Sequence, residues 1–252
     1  MTESLQVPMA VAAALVGLAF AMATFERWLA RGRRHELAWS ISLAMFSLAA
    51  AAMAAGAGLG WSEPTFKAFY LFGAILNVPF LALGTVYLLG GPRRGDPWAV
   101  SICLFAAFAA GILVAAPITS AIPRDELVAG KDVFNALPRV LAAVASGVGA
   151  AIVFGGAIWS AIRARRARFV VSNALIAGGT AILSTSGLLN SIFDEMTGFS
   201  VTLVLGISVL FAGFLVATSA PRPAAAIGAG EISAARDAAA CRQVPLESRR
   251  RA

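Results

Sequence analysis

The sequence predicts an all-α membrane protein, a bundle of seven transmembrane helices with its N-terminus outside and its C-terminus in the cytoplasm. Three observations predict it. Of the 252 residues, 59% are hydrophobic and 13% charged, about half the charge a soluble domain uses to coat a wetted surface. The apolar residues gather into seven uncharged runs, each long enough to cross a hydrocarbon core of about 30 Å at about 1.5 Å per helical residue. The basic residues divide very unequally between alternate breaks.

The expected spans cover residues 5–25, 37–60, 68–90, 97–117, 140–162, 169–192 and 199–219. The first run ends at Glu26-Arg27, and the second lies between Glu36 and the Gly60–Glu63 break. The third follows Lys67 and stops at Gly90-Gly91-Pro92. The fourth opens at Pro97 and closes toward Pro117 and Pro123, and the fifth lies between Arg139 and Arg163. The sixth runs from Phe169 to the Asp194-Glu195 pair, and the seventh from Met196 to Pro221. Helices satisfy their own backbone groups in lipid, whereas strands need a closed barrel. These runs are too long and too uniformly apolar for the ~10-residue alternating strands of such a barrel.

Orientation follows from the Lys/Arg split. One side collects Arg27, Arg31, Arg33, Arg34, Arg93, Arg94, Arg163, Arg165, Arg166 and Arg168, with Arg222, Arg236, Arg242 and Arg249 to Arg251 in the tail. The other holds Lys67, Arg124, Lys131 and Arg139. Positive residues mark the cytoplasmic face. Ala21-Met22-Ala23 has the look of a signal cleavage site, but Met1–Leu5 lacks a positive charge and the arginines follow the run. That is the reverse of a secretory signal, so the first helix is expected to be retained. Arginine in place of lysine, with abundant alanine, suggests a high-GC bacterial genome and hence a multi-pass protein of the bacterial plasma membrane.

Residues from Pro123 to Pro138 could form a short interfacial helix, started by the first proline and ended by the second. Residues 221–252 mix Pro, Ala, Gly and scattered charge without periodicity and are expected to be a disordered basic cytoplasmic tail. Trp28, Trp39, Trp61 and Trp98 fall near span ends, as an interfacial aromatic belt requires.

Two faces carry the candidate ligand or pathway residues. On the third helix, Tyr70, Gly73, Asn77, Gly84 and Tyr87 share an arc of about 100°, and Pro79 should kink the backbone beside Asn77. On the sixth, Asn173, Thr180, Ser184 and Asn190 lie in a polar stripe with Gly187, Ser191 and Asp194. Each face reads as a ligand or solute path, or more simply as interhelical packing and hydrogen bonding. The fifth helix carries Ala143, Gly147, Ala151 and Gly155 at four-residue spacing, and the second has Ser47, Ala51, Ala54 and Gly58. Both are packing ridges by default, with a homo-oligomer as the alternative. Arg31, Arg33, Arg34, Arg163, Arg165, Arg166 and Arg168 are expected to meet anionic lipid headgroups at the cytoplasmic face, with a protein partner as the sharper option and no nucleic acid.

What is absent from the sequence excludes several functions. No Asp, Glu, Lys, Arg or His lies mid-span, where ion pumps, proton-coupled carriers and voltage sensors keep one. The seventh span has no lysine for a retinal Schiff base. A lone histidine, His35, rules out a bis-histidine haem, and a zinc site is not expected. His35 reads as a solvated interface residue. No catalytic residue, metal ligand set, cofactor motif or phosphate-binding loop is present. Cys103 and Cys241 lie too differently placed for a disulfide.

Glu36–Ser42, Gly60-Trp61-Ser62 and Phe69–Pro79 resemble uncharacterised seven-helix integral membrane proteins of actinobacteria over roughly the first half of the chain. The resemblance carries no activity and no site residues. The span count and orientation also resemble the seven-helix sensory input regions of bacterial signalling proteins. Three functions are compatible with these features. The first is a non-enzymatic sensor or accessory protein that binds a partner or a small apolar ligand. The second is a transporter of a small neutral or lipid-like solute along helices three and six. The third is an outer-surface enzyme using Asp125, Glu126, Asp194 or Glu195.

Overall fold

A computed structural model describes residues 3–118, 122, 130–163, 170–172, 174–183 and 196–218. The chain divides into two units, Met1–Ala217 and Thr218–Ala252. The tail expected at 221–252 therefore lies outside the described residues. Those that are described form helices and no strand. They are α1 (Glu3–Arg31), α2 (Arg34–Leu59), α3 (Glu63–Phe69), a π-helical segment (Tyr70–Leu76), α4 (Asn77–Ala115), α5 (Gly130–Val133), α6 (Ala136–Arg163), α7 (Val170–Leu183) and α8 (Met196–Thr218).

Five helices are long and apolar enough to cross a membrane: Gln6–Arg31, Arg34–Leu59, Glu63–Ala115, Ala136–Ser160 and Phe199–Val216. Val170–Leu183 is apolar but shorter. Large apolar side chains face outward around these helices, among them Leu15, Leu104, Val114 and Ile162, each more than 60% exposed. A water-soluble monomer does not display so much contiguous apolar surface, whereas a membrane protein presents it to lipid.

The first connection is tighter than the charge breaks implied. α1 runs past Phe25 through Glu26 and Arg27 to Arg31, because a helix tolerates charge at its end. Gly32 then stops it, with φ +64° and its N–H donating to the Trp28 carbonyl at 2.7 Å. This is the left-handed glycine cap that reverses a helix. Only Gly32 and Arg33 separate α1 from α2. The two pack closely at Gly17, where a methyl group would stand 2.7 Å from Ser47 Oγ.

The third long helix is a hairpin. Gly91 has φ +69° and ψ −177°, outside helical space, and after it the chain doubles back. Phe80 and Leu83 pack with Ala99, Ile102 and Ala106, Tyr87 reaches Asp96, and Lys67 reaches the carbonyls of Val114 and Ala116. Those pairings are antiparallel throughout. The Gly-Gly-Pro-Arg-Arg break of the sequence is thus an elbow between two legs.

α6 lies on the first leg. A methyl group at Gly149 would be 3.1 Å from the Val78 carbonyl oxygen, and one at Gly156 would strike Thr85. The expected ridge of Ala143, Gly147, Ala151 and Gly155 points the other way: all four are exposed, and Gly147 and Gly155 meet no described atom within 4 Å. Small residues occupy both faces of α6, so four-residue spacing did not mark the packed one. In α2, Ser47 packs as expected, while Ala51 and Gly58 are exposed. α7 lies on α8, with Ser172 Oγ donating to the Gly213 carbonyl at 2.8 Å. α8 closes on α1 through Phe20, whose ring is 4.8 Å from both Phe211 and Phe214.

Two other expectations change. Within the stretch from Pro123 to Pro138, the described residues are helical at Gly130–Val133 and again from Ala136, where α6 begins. Pro138 does not end a helix but sits in the first turn of α6, where a missing N–H costs nothing because that group has no intrahelical acceptor. Trp61 does not belong to an interfacial belt. It is 4% exposed, lies against Gly56, and meets Phe66 and Phe69 edge-on.

Candidate functional site

The face of the third helix is spent on packing against α2. Gly73 lets Ala49 approach, and Gly84 lets the Trp39 indole lie where a Cβ would stand. Between them, Ser42 Oγ stands 2.7 Å from Asn77 Oδ1 and 2.9 Å from the Asn77 carbonyl, with one proton to share between these acceptors. Asn77 is half-buried, and this bond from α2 meets the cost of placing its amide in an apolar bundle.

The irregularity foreseen at Pro79 lies one turn earlier. Residues 70–76 widen into a π-helix, in which each N–H reaches back five residues. The donor for the Ala74 carbonyl would then be residue 79, and proline has no N–H. Ser146 Oγ of α6 donates to that carbonyl instead, at 2.7 Å. Helices α2 and α6 thus each lend one hydroxyl to the break.

Tyr70 and Tyr87 belong to different ends. Tyr70 is half-buried against Phe134, with ring centroids 5.0 Å apart, and a methyl group at Gly130 would collide with it. Tyr87 Oη donates to Asp96 Oδ1 at 2.9 Å across the elbow. Thr180 is buried and its hydroxyl bonds its own helix at Ile176. Asn173, Ser184 and Asn190 lie outside the described residues, as do Asp125, Glu126, Asp194 and Glu195. Among the described residues, no hydrogen bond links the two polar faces.

Beside the break is a cavity of about 240 Å³, bounded by Pro79, Leu83 and Val86 on the first leg, Trp98, Ile102 and Phe105 on the second, and Ala145, Val148 and Ile152 on α6. Ser101 also lines it, but its hydroxyl already donates to the Pro97 carbonyl at 3.0 Å. The Ser101 proton is thus spent, and the cavity offers an occupant chiefly hydrocarbon contact.

Charge converges at one end of the bundle, which the antiparallel order gives to the α1–α2 turn, the elbow and the C-terminus of α6. Glu36 is 1% exposed. Arg27 reaches its Oε1 from Nη2 at 3.1 Å and Nε at 3.2 Å, while Oε2 has no partner among the described residues. The same guanidinium lies 5.3 Å from the Phe214 ring centre. Nearby, Arg34 pairs with Asp96, which also accepts from Tyr87. In that turn the guanidinium, and after it the phenol, hold the Asp96 carboxyl below the usual carboxylate range.

A second pocket, of about 220 Å³, opens between the two turns and is lined by Gly32, Arg33, Arg34, His35, Tyr87 and Pro92. His35 is not simply solvated: it is half-buried and edge-on to Trp39 at 5.2 Å. Arg31 and Arg33 are exposed, and Arg163 stacks on Trp159 at 4.4 Å. Arg165, Arg166 and Arg168 lie outside the described residues. Among those described, no group of three His, Cys, Asp or Glu side chains could hold a metal.

Sequence reasoning passed over Glu36 and Asp96 because it sought charges only inside the apolar runs. The signal was present in the turns. A two-residue reversal sets Arg27 opposite Glu36, and a Gly-Asp-Pro after two arginines sets Asp96 opposite Arg34. No protein family, curated protein or solved structure matches the chain.

Proposed function

We propose that this chain is a seven-span protein of the bacterial plasma membrane, N-terminus outside, acting as a non-enzymatic sensor or accessory protein that holds a small apolar ligand or acyl chain. The two legs of the elbow count as separate spans, and α7 supplies the core of another. The single observation that carries the ligand reading is the cavity beside the π-helical break, whose lining is apolar and whose one hydroxyl is already committed. At about 240 Å³ it falls below the roughly 300–1,000 Å³ of drug-sized sites, which suits an alkyl chain better than a bulky solute. The arginine-rich end then faces anionic headgroups of the cytoplasmic leaflet, and the outward small-residue face of α6 is left for lipid, a partner helix or a second copy.

The test is photolabelling in detergent with a fatty acid carrying a diazirine on its chain. Labelling should concentrate on peptides containing Trp98–Phe105 and Val144–Ile152. Val148→Trp, which fills the cavity from its exposed side, should reduce that labelling severalfold. Labelling spread evenly over the outer surface and indifferent to the substitution would remove this reading.

A further inference from the structure

The pocket between the α1–α2 turn and the elbow has a composition unlike the rest of the bundle. It is concave, and three of its six lining residues are Arg33, Arg34 and His35. These three basic side chains are not equivalent. Arg34 is committed to Asp96, and Tyr87 donates to the same carboxylate oxygen, Oδ1. That triad ties the elbow to the start of α2 and cancels one positive charge. Arg33 has no ion pair among the described residues, and its backbone is extended at φ −80°, ψ 117° as the residue before α2.

His35 is held from behind. Its ring meets Trp39 edge-on, and Trp39 is wedged on Gly84, where any side chain would displace it. The imidazole is thus a positioned group rather than a freely rotating one. The Tyr87 phenol completes the wall as the one neutral hydroxyl. Glu36, the carboxylate next in sequence, is turned away into the bundle and bonded to Arg27, so no uncompensated acidic group of the α1–α2 turn lines the pocket. An uncompensated guanidinium and a fixed imidazole around one concavity make a donor set for a tetrahedral oxyanion, while the phenol, its proton given to Asp96, is only wall.

We propose that this pocket binds a phosphate group, with Arg33 and His35 as its ligands and the Arg34–Asp96–Tyr87 triad as the fixed wall. The phosphate could belong to a lipid headgroup or to a soluble anion. The surroundings suit a lipid: Leu29, Leu88 and Leu89, each about half exposed or more, offer apolar surface on the two elements that form the pocket. The lipid source rests on the headgroup reading of this end given above. The phosphate chemistry does not.

Delipidated full-length protein in a neutral detergent tests both, with native mass spectrometry counting retained lipid. Wild type should retain phosphatidylglycerol over phosphatidylcholine by about tenfold. Arg33→Gln/His35→Gln should lose that preference, while Arg163→Gln, a cation at the same end but outside the pocket, should lose clearly less of it. Failure of an excess of inorganic phosphate to displace the lipid assigns the site to headgroups; displacement assigns it to phosphate in general. Retention of the full preference by the double variant overturns the proposal, as does wild type showing no preference and no protection from unfolding by inorganic phosphate. Equal loss in Arg163→Gln and the double variant would leave a diffuse basic face and no pocket, which also overturns it.

Discussion

The two ends of the bundle meet the same requirement with different chemistry. At each, helices stop, backbone groups lose their partners and the chain must turn. The end with the α1–α2 turn and the elbow is held by charge: Arg27 on a buried Glu36, and Arg34 on an Asp96 also held by Tyr87. The opposite end is held by rings. Trp61, Phe66, Phe69, Tyr70, Phe134 and Phe199 form a connected aromatic cluster. Lys67, a cation at that end, pairs with Glu63 at 2.8 Å and caps two carbonyls at the end of α4. Ion pairs respond to salt and to charged neighbours, while packed rings do not. One end is chemically addressable and the other is a plug.

That contrast can be broken most directly at Arg27. Arg27→Ala strands a carboxylate that is 1% exposed and should cost about 3–5 kcal/mol, read as a large fall in thermal midpoint in detergent. Adding Glu36→Gln should recover much of it, since the stranded charge and not the lost pair is the main cost. If Arg27→Ala unfolds no earlier than wild type, the charged end is not held as described.

Phe66→Ala is the matching change at the other end. Phe66 is 1% exposed and its removal should cost about 3 kcal/mol. The loss should be the same at low and high salt. A salt-dependent loss there would erase the distinction between the ends.

The smallest effect belongs to neither end. Ser42→Ala removes the hydroxyl on Asn77 and should cost roughly 1 kcal/mol, the scale of interhelical hydrogen bonds in membranes. Both other variants should show unchanged behaviour at this bond, which an infrared shift of a labelled Asn77 carbonyl would report. A cost as large as that of Arg27→Ala would make the bundle centre, rather than its ends, the main point of closure.

Much of the architecture was legible because lipid forces each apolar run to satisfy its own backbone. The elbow at Gly91 is a good case: Gly-Gly-Pro-Arg-Arg-Gly-Asp-Pro cannot continue a helix unbroken, and it does not. The π-helical segment was not legible in place. Pro79 announces a missing donor, but the strain falls on the acceptors four and five residues before it, and only the structure shows that Ser146 takes one of them. The burial of Glu36 was hidden for another reason. A charge count treats every residue in a break as exposed, yet a two-residue turn leaves room for a side chain to fold back between helices. The α6 ridge misled because alanine and glycine are too frequent there for spacing to choose a face.

The elbow has a consequence of scale. Its legs are fastened to each other at Tyr87–Asp96 and again at Lys67–Val114. Residues 67 to 87, at about 1.5 Å each, separate those fastenings by about 30 Å, close to the thickness of a bilayer's hydrocarbon. The hairpin is therefore a clamped gauge. Its legs cannot slide past one another to suit a thinner or thicker sheet of lipid; they can only lean together, carrying α6 with them.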